Sequence, residues 1–390
     1  MKVLFCQFGG LGERAIENTF TKWGYQVEQF NAKADNHDYD KRILNEFTER
    51  MQKTKVDFVF SINFLPLISK ICNIFKTTYI SWVYDSPEMH LYSPAIKNSI
   101  NRIFLFDRMQ YNHFVHMNPK RIFYMPLATA PLTRLEQENI SEEEQQQYTR
   151  NITFIGSLYN ESDKRFHELL QLPDYWRGYI QGIVEAQLNV FGYNFIADSL
   201  TDEDVVELSK LLKYELIADY QRVDREIIAD TYIGTMVSAL DRQRTIQALS
   251  QTHRITLYTG SDTSNFKNVE NKGLADSITM MPKIFHCSKI NLNITSKTIQ
   301  SGVPLRVFDV LGAGGFLITN YQAELYDLFE PGVDLVVYED LKDLEEKVSY
   351  YLQHEEERKQ IAINGYNRVC NSYTYEIVLE EILTLAGVVN

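Results

Sequence analysis

Residues 301–309 read SGVPLRVFD and bring together a glycine, a helix start and a guanidinium, three groups suited to an anion. Proline has a fixed φ close to the helical value and no N–H to leave unbonded, so the helix is predicted to begin at Pro304. Its first N–H groups and the positive end of its dipole then face the loop carrying Gly302 and Val303, a place where a phosphate binds. Arg306 and Asp309 are three residues apart on this helix. They form either a surface ion pair worth a few tenths of a kcal/mol, or a cation for a departing phosphate with a carboxylate that accepts hydroxyl hydrogens. Lys297 is either an exposed loop lysine or a second cation for the same leaving group. Gly156 and Ser157 follow the apolar run ITFI and by themselves read as a plain turn.

Other constellations carry competing chemistry. Gly10, Gly12 and Ala15 fit the GxGxxA pattern of a dinucleotide turn, the signal for a nicotinamide-dependent oxidoreductase. That chemistry needs an acid at the end of the next strand to hold a ribose, and YQVEQF ends in Asn31 instead. The same turn could line the cleft of a transferase, with Arg14 reaching a diphosphate or lying on the helix surface. Asp85 in WVYDSP stands at the C-terminal end of an apolar strand, where parallel sheets carry their chemistry. It takes or orients the proton of an acceptor hydroxyl, or it caps the Ser86-Pro87 turn. His90 follows as a second candidate. Asp38-Tyr-Asp40 precedes an amphipathic helix and Asp202-Glu-Asp204 follows Thr201, so both imitate metal motifs but read as helix caps. No metal and no other cofactor is expected.

The elements that must position these residues alternate strand and helix. Over residues 1–130 the strand candidates are KVLFCQF, YQVEQF, VDFVFSI, TYISWVYD, RIFLFD and RIFYMPLA, with amphipathic stretches between them, the pattern of a parallel sheet covered on both faces. Residues 131–150 are polar and acidic and read as a linker. A second Rossmann-like domain, 151–373, carries NITFIGSLY, RITLYTG, SITMM, KINLNIT, GFLIT and DLVVYED, interrupted by a helical insertion over about 161–251. Residues 374–390 read as a final helix that packs back on the first domain. The 390 residues carry a formal charge of −13. That excludes nucleic acid or an anionic membrane as the main partner, because both need a basic face. No apolar run approaches the ~18 residues of a membrane span. Four widely spaced cysteines suit a reducing cytoplasm.

Two Rossmann-like domains facing a cleft, with C-terminal helices, describe the GT-B architecture. The run SKINLNITSKTIQSGVPLRVFDVLGAGGFLITN, with HEEERKQIAINGYNRV after it, resembles the C-terminal domain of the CgeB-like glycosyltransferases of the spore maturation protein type. ISWVYDSP, IFLFDRMQYNHF and FYMPLATAP resemble their N-terminal domain. The resemblance implies a glycosyltransferase with a nucleotide-diphosphate-sugar donor, a UDP-sugar being favoured, and a glycan or protein acceptor. It places Met280 and Met281 near the base by backbone contact, Asp309 on the ribose, residues 302–304 on the diphosphate, the Gly156-Ser157 turn on the phosphates with Arg165 or Lys164 adding charge, and Ser301 where the wider superfamily has a glutamate beside the transferred sugar. A serine offers no such charge, which opens a third reading, a catalytically degenerate sugar-nucleotide-binding protein. Sugar, base, acceptor, stereochemistry and oligomeric state are not specified by these residues.

Overall fold

The structure, a computed structural model, describes residues 1–34, 36–159, 164–214 and 223–389. They fall into two compact units, one formed by Met1–Thr129 with the segment from Ser372 onward, the other by Ala130–Tyr214 with Asp224–Asn371.

The first unit holds six parallel strands: β1 (Lys2–Gln7), β2 (Gln26–Asn31), β3 (Phe58–Ile62), β4 (Thr78–Val83), β5 (Asn101–Leu105) and β6 (Ile122–Tyr124), in the order β2-β1-β3-β4-β5-β6. Every residue of β3 is buried, as expected for a strand covered on both faces. The helix Pro66–Phe75 starts on its proline, and Lys41–Lys53 starts on Asp40, whose carboxylate accepts the Ile43 N–H. Helix Tyr375–Leu385 belongs to this unit. Thr374 caps it by accepting the Ile377 N–H, and the Tyr375 ring meets Trp82 edge-on. Gly12 has φ +86°, and a Cβ there would lie 2.5 Å from the Tyr375 hydroxyl. The turn after β1 therefore needs glycine both for its dihedral and for this approach.

The second unit has its own six parallel strands: β7 (Ile152–Ile155), β8 (Ile255–Tyr258), β9 (Val269–Asn271), β10 (Ile290–Asn293), β11 (Leu317–Asn320) and β12 (Val336–Tyr338). Their order is β12-β11-β10-β7-β8-β9, so the chain reverses direction across the sheet between β7 and β10. The helical insertion separates β7 from β8 and has a core of its own that includes Ile180, Val184, Leu208 and Tyr232. Thr201 and Asp204 form a capping box at the start of helix Asp202–Leu211, the role read for that acidic triplet.

Three expectations need correction. The segment SITMM is not a strand. The Asp276 carboxylate accepts the Ile278 and Thr279 N–H groups, which turns the chain directly into helix Met281–Cys287, and the sixth strand is Val269–Asn271 instead. Residues 131–150 are not a featureless linker: Thr133 with Glu136 and Ser141 with Glu144 form capping boxes that start two short helices, and Ile140 and Tyr148 are buried. Helix Leu305–Gly312 begins one residue later than read, because Pro304 is extended at ψ 156° and serves as the N-cap. Its apolar side is as expected, with Val303, Val307, Val310 and Leu311 buried.

Candidate active site

In an open parallel sheet, ligands bind at the carboxyl ends of the strands where the strand order reverses. In the second unit that point lies between β7 and β10, and one guanidinium spans it. Arg242, on helix Gly234–Leu249, donates from Nη1 to the Ser157 carbonyl beyond β7 (2.7 Å) and from Nε to the Ile294 carbonyl beyond β10 (3.1 Å). Its plane lies over the Tyr159 ring at 4.4 Å. A second guanidinium is close by. Arg306 reaches the Met281 sulfur (3.8 Å), lies over the Phe285 ring (5.1 Å), and is 3.7 Å from Asp309. Burial lowers the Arg306 pKa, Asp309 opposes that, and the Arg242 charge lowers it further. A half-buried guanidinium with a second cation near enough to lower its pKa further is a place that suits an anion. No side chain caps the adjoining helix Leu305–Gly312, so its first N–H groups add to the same potential.

The other donor-side candidates are distributed unevenly around this centre. The Gly156 N–H is already bonded to the Tyr258 carbonyl (3.2 Å), and the Ser157 hydroxyl accepts the Tyr159 N–H (2.9 Å). That turn offers its Ser157 carbonyl to Arg242 more than N–H groups to a phosphate. The Met280 and Met281 N–H groups both bond the Asp276 carbonyl, which leaves Met281 acting through its sulfur on Arg306. Arg165 is exposed on helix Lys164–Leu170, and the Lys164 side chain lies outside the described residues. Lys297 is not an exposed loop lysine. Its ammonium is turned inward, over the Phe191 ring (3.3 Å), within 3.3 Å of the Val190 carbonyl and 4.0 Å from Asp241. Ser301 is buried and donates to Glu324 Oε1 at 2.6 Å, while the Glu324 N–H bonds the Ser301 carbonyl at 3.2 Å. A carboxylate therefore stands behind the serine, supplied by the loop after β11.

The first unit gathers acid and base groups at its strand ends. Asp85 Oδ2 accepts from Asn63 Nδ2 (2.6 Å), and Asn63, at φ 56° just beyond β3, also accepts the Tyr84 N–H. The carboxylate is thus held from a neighbouring strand. The Asp85 side chain is itself exposed, with half-buried Tyr84 and Ser86 on either side of it in the chain and buried Glu88 three residues on. Burial is the largest cause that pushes its carboxyl up to about 6, the Glu88 charge adds to it, and the Asn63 bond and His90 oppose it. His90 Nδ1 lies 2.6 Å from Glu88 Oε1, and Glu88 is buried. Burial alone would lower the His90 pKa, but the Glu88 bond and the Glu88, Asp38 and Asp85 charges raise it. Asp85 and His90 each feel the other's charge, so proton uptake at these two is coupled.

The glycine turn of the same unit is not built for a pyrophosphate. The Glu13 carboxylate is buried and accepts the Phe8 N–H at 2.8 Å and the Gly9 N–H at 3.1 Å. The protein's own anion thus occupies N–H groups a dinucleotide would use. Gly10 and Gly12 serve the packing of this turn, and Arg14 is exposed. Among the described residues, no group of three or more His, Cys, Asp or Glu side chains is placed to hold a metal.

Residues 241–384 match the family model described as Glycosyl transferase-like. No curated protein matches the sequence. Among solved structures, the chain is similar to a sucrose-phosphate synthase from Thermosynechococcus elongatus (TM-score 0.55, 10% identity, covering 99% of this chain and 98% of that one). It is also similar to Anabaena HepE in complex with UDP-glucose (TM-score 0.53, 10% identity, 100% of both chains), and to a glycosyltransferase from Rickettsia africae (TM-score 0.52, 11% identity, 99% and 97%). The fold is GT-B. Sequence reasoning missed Arg242, Asn63, Glu88 and Glu324 as site residues. Arg242 sits in ALDRQRT, where a helix carries charge on several sides and nothing marks which arginine turns toward the sheet.

Proposed function

We propose that the chain is a metal-independent glycosyltransferase, of the CgeB-like kind, that moves a hexose from a nucleoside diphosphate to a hydroxyl of a glycan or protein acceptor. The observation that carries this reading is Arg242 bonded across the strand reversal to the Ser157 and Ile294 carbonyls, with Arg306 beside it. Two guanidiniums and an uncapped helix start suit a diphosphate, which is the leaving group of such a transfer, and they meet its developing charge with fixed donors. The HepE structure contains UDP-glucose, which supports a UDP-sugar as donor here. In the first unit Asp85 takes the acceptor proton, poised by its raised pKa to act near neutrality. Ser301, held by Glu324, gives the transferred sugar a polar contact rather than a charge. Cys6 and Cys72 are buried and all four thiols are unpaired, which suits a reducing compartment.

Two expected results test the donor side. Asp309→Ala should weaken nucleoside diphosphate binding by about 1–3 kcal/mol, because ribose hydroxyls lose a charged acceptor. Equal affinity in variant and parent, measured by calorimetry, would reduce Asp309 to the partner of Arg306. Treatment with EDTA should leave sugar transfer nearly unchanged. Complete loss of transfer on chelation, restored by manganese, would contradict charge neutralisation by arginine.

A further inference from the structure

The first sheet also reverses its strand order. β2 and β3 lie on opposite sides of β1, so the carboxyl ends of β1 and β3 are where a ligand of this unit is expected. We propose that His37 and His90 form a hydroxyl-binding pair there, which makes the acceptor an uncharged saccharide and gives His37 the task of holding it for Asp85. The inference rests on the glycosyltransferase reading and specifies its acceptor. The two rings come from different loops, His37 after β2 and His90 after β4. They meet edge to face, with centroids 5.3 Å apart and planes at 85°. Phe8, the residue that follows β1, has its ring 6.4 Å from His37, and Asp85 lies near enough for its charge to act on His90. One histidine thus reaches the strand reversal and the other reaches the proposed base.

His37 is held through its backbone, which leaves its ring for a ligand. Its carbonyl accepts the Leu67 N–H at the start of helix Pro66–Phe75 (3.2 Å), and the neighbouring Asn36 Oδ1 accepts the N–H groups of Asp38 (2.9 Å) and Tyr39 (3.1 Å). Among the described residues no group is hydrogen-bonded to either nitrogen of the half-buried His37 ring. His90 differs, because Glu88 engages its Nδ1. Charge follows the same division. Burial lowers the His37 pKa and the His90 charge lowers it further, against Glu88, Asp38 and Asp40, whereas His90 is raised, despite its burial, by the Glu88 bond and the Glu88, Asp38 and Asp85 charges. Neighbouring groups whose environments push their pKa values apart take opposite roles. His37 is the neutral ring, with a nitrogen that accepts a hydroxyl hydrogen, and His90 is the protonated ring, whose Nε2–H donates. A donor and an acceptor side by side match the hydroxyls of a sugar, and the Phe8 ring adds an apolar surface. An anionic ligand is disfavoured here, since Asp38, Asp85 and Glu88 already bring negative charge to the two histidines and the Glu13 carboxylate fills the Phe8 and Gly9 N–H groups.

The test is nuclear magnetic resonance of the full chain with its eight histidine rings labelled with ¹⁵N, the His37 and His90 signals being assigned by single substitution. The probes are the methyl glycosides of glucose, galactose and mannose, the methyl glycosides of the matching uronic acids, and a peptide containing serine and threonine. A neutral glycoside should shift both His37 and His90, and the uronates and the peptide should not. His37→Phe keeps a ring against Phe8 and His90 but has no nitrogen, and it should bind that glycoside about 3- to 10-fold more weakly, the scale of one hydrogen bond. His37→Gln restores a hydrogen-bonding side chain and should bind more tightly than His37→Phe. A preference for the uronates or the peptide, silence of both histidines toward every probe, or equal glycoside affinity in the parent and His37→Phe would overturn the pair. Titration of the same samples with UDP, GDP and dTDP reports on the second unit, and no affinity for any of them would instead overturn the glycosyltransferase reading.

Discussion

Asp85→Asn is expected to lower turnover about 10²–10⁴-fold, the usual contribution of a positioned general base, while nucleoside diphosphate binding stays at the parent's value. The substitution keeps the shape of the side chain and its place beside Asn63, so the melting temperature should hold. The binding arm is insensitive because the diphosphate candidates belong to a different compact unit. A pH dependence accompanies it. The carboxyl is pushed up to about 6, and a base works only when deprotonated, so the parent's rate should fall as pH drops through about 6. The residual rate of Asp85→Asn should lack that limb. If the variant turns over within a few-fold of the parent, the base lies elsewhere, and the His90 imidazole paired with Glu88 is the group to change next.

Arg242→Ala should remove the cation at the strand reversal and cost about 1.5–3 kcal/mol of diphosphate affinity, the range for hydrogen bonds to charged groups. That is roughly a 10- to 150-fold rise in the dissociation constant. Two carbonyls also lose their donor, so the loops after β7 and β10 should loosen, a change readable as faster amide exchange at Ser157 and Ile294. Burial should still hold the Arg306 pKa down in this variant, with only the smaller contribution of the Arg242 charge removed. Unchanged UDP affinity in Arg242→Ala would show that the guanidinium is only a strut between β7 and β10.

Both parallel sheets were legible in the sequence because their strands are apolar runs bounded by turn residues, and eleven of the twelve strand candidates correspond to strands. The exception, SITMM, has an apolar pattern too short to tell strand from helix, and a single Asp276 carboxylate decided it. The linker reading failed for a related reason. Glu and Gln usually mark solvated chain, but the offset of three between Thr133 and Glu136, and again between Ser141 and Glu144, builds helix starts. Residues marked by backbone chemistry, Pro304 at a helix start and Gly12 at φ +86°, were readable because their dihedrals restrict residue type. Side chains that act by direction were not. Nothing in the sequence says that Lys297 turns inward under Phe191, that Glu324 stands behind Ser301, or that Glu13 fills the glycine turn with its own carboxylate.

The central claim, that the second unit holds a nucleoside diphosphate sugar, is tested most directly by thermal unfolding in a panel of nucleotide sugars with NAD as the control. A donor at about 100 times its dissociation constant should add about 2.7 kcal/mol to stability and raise the melting temperature, with the increase largely lost in Arg242→Ala. Stabilisation by NAD alone, with no nucleotide sugar or nucleoside diphosphate shifting the transition, would contradict it.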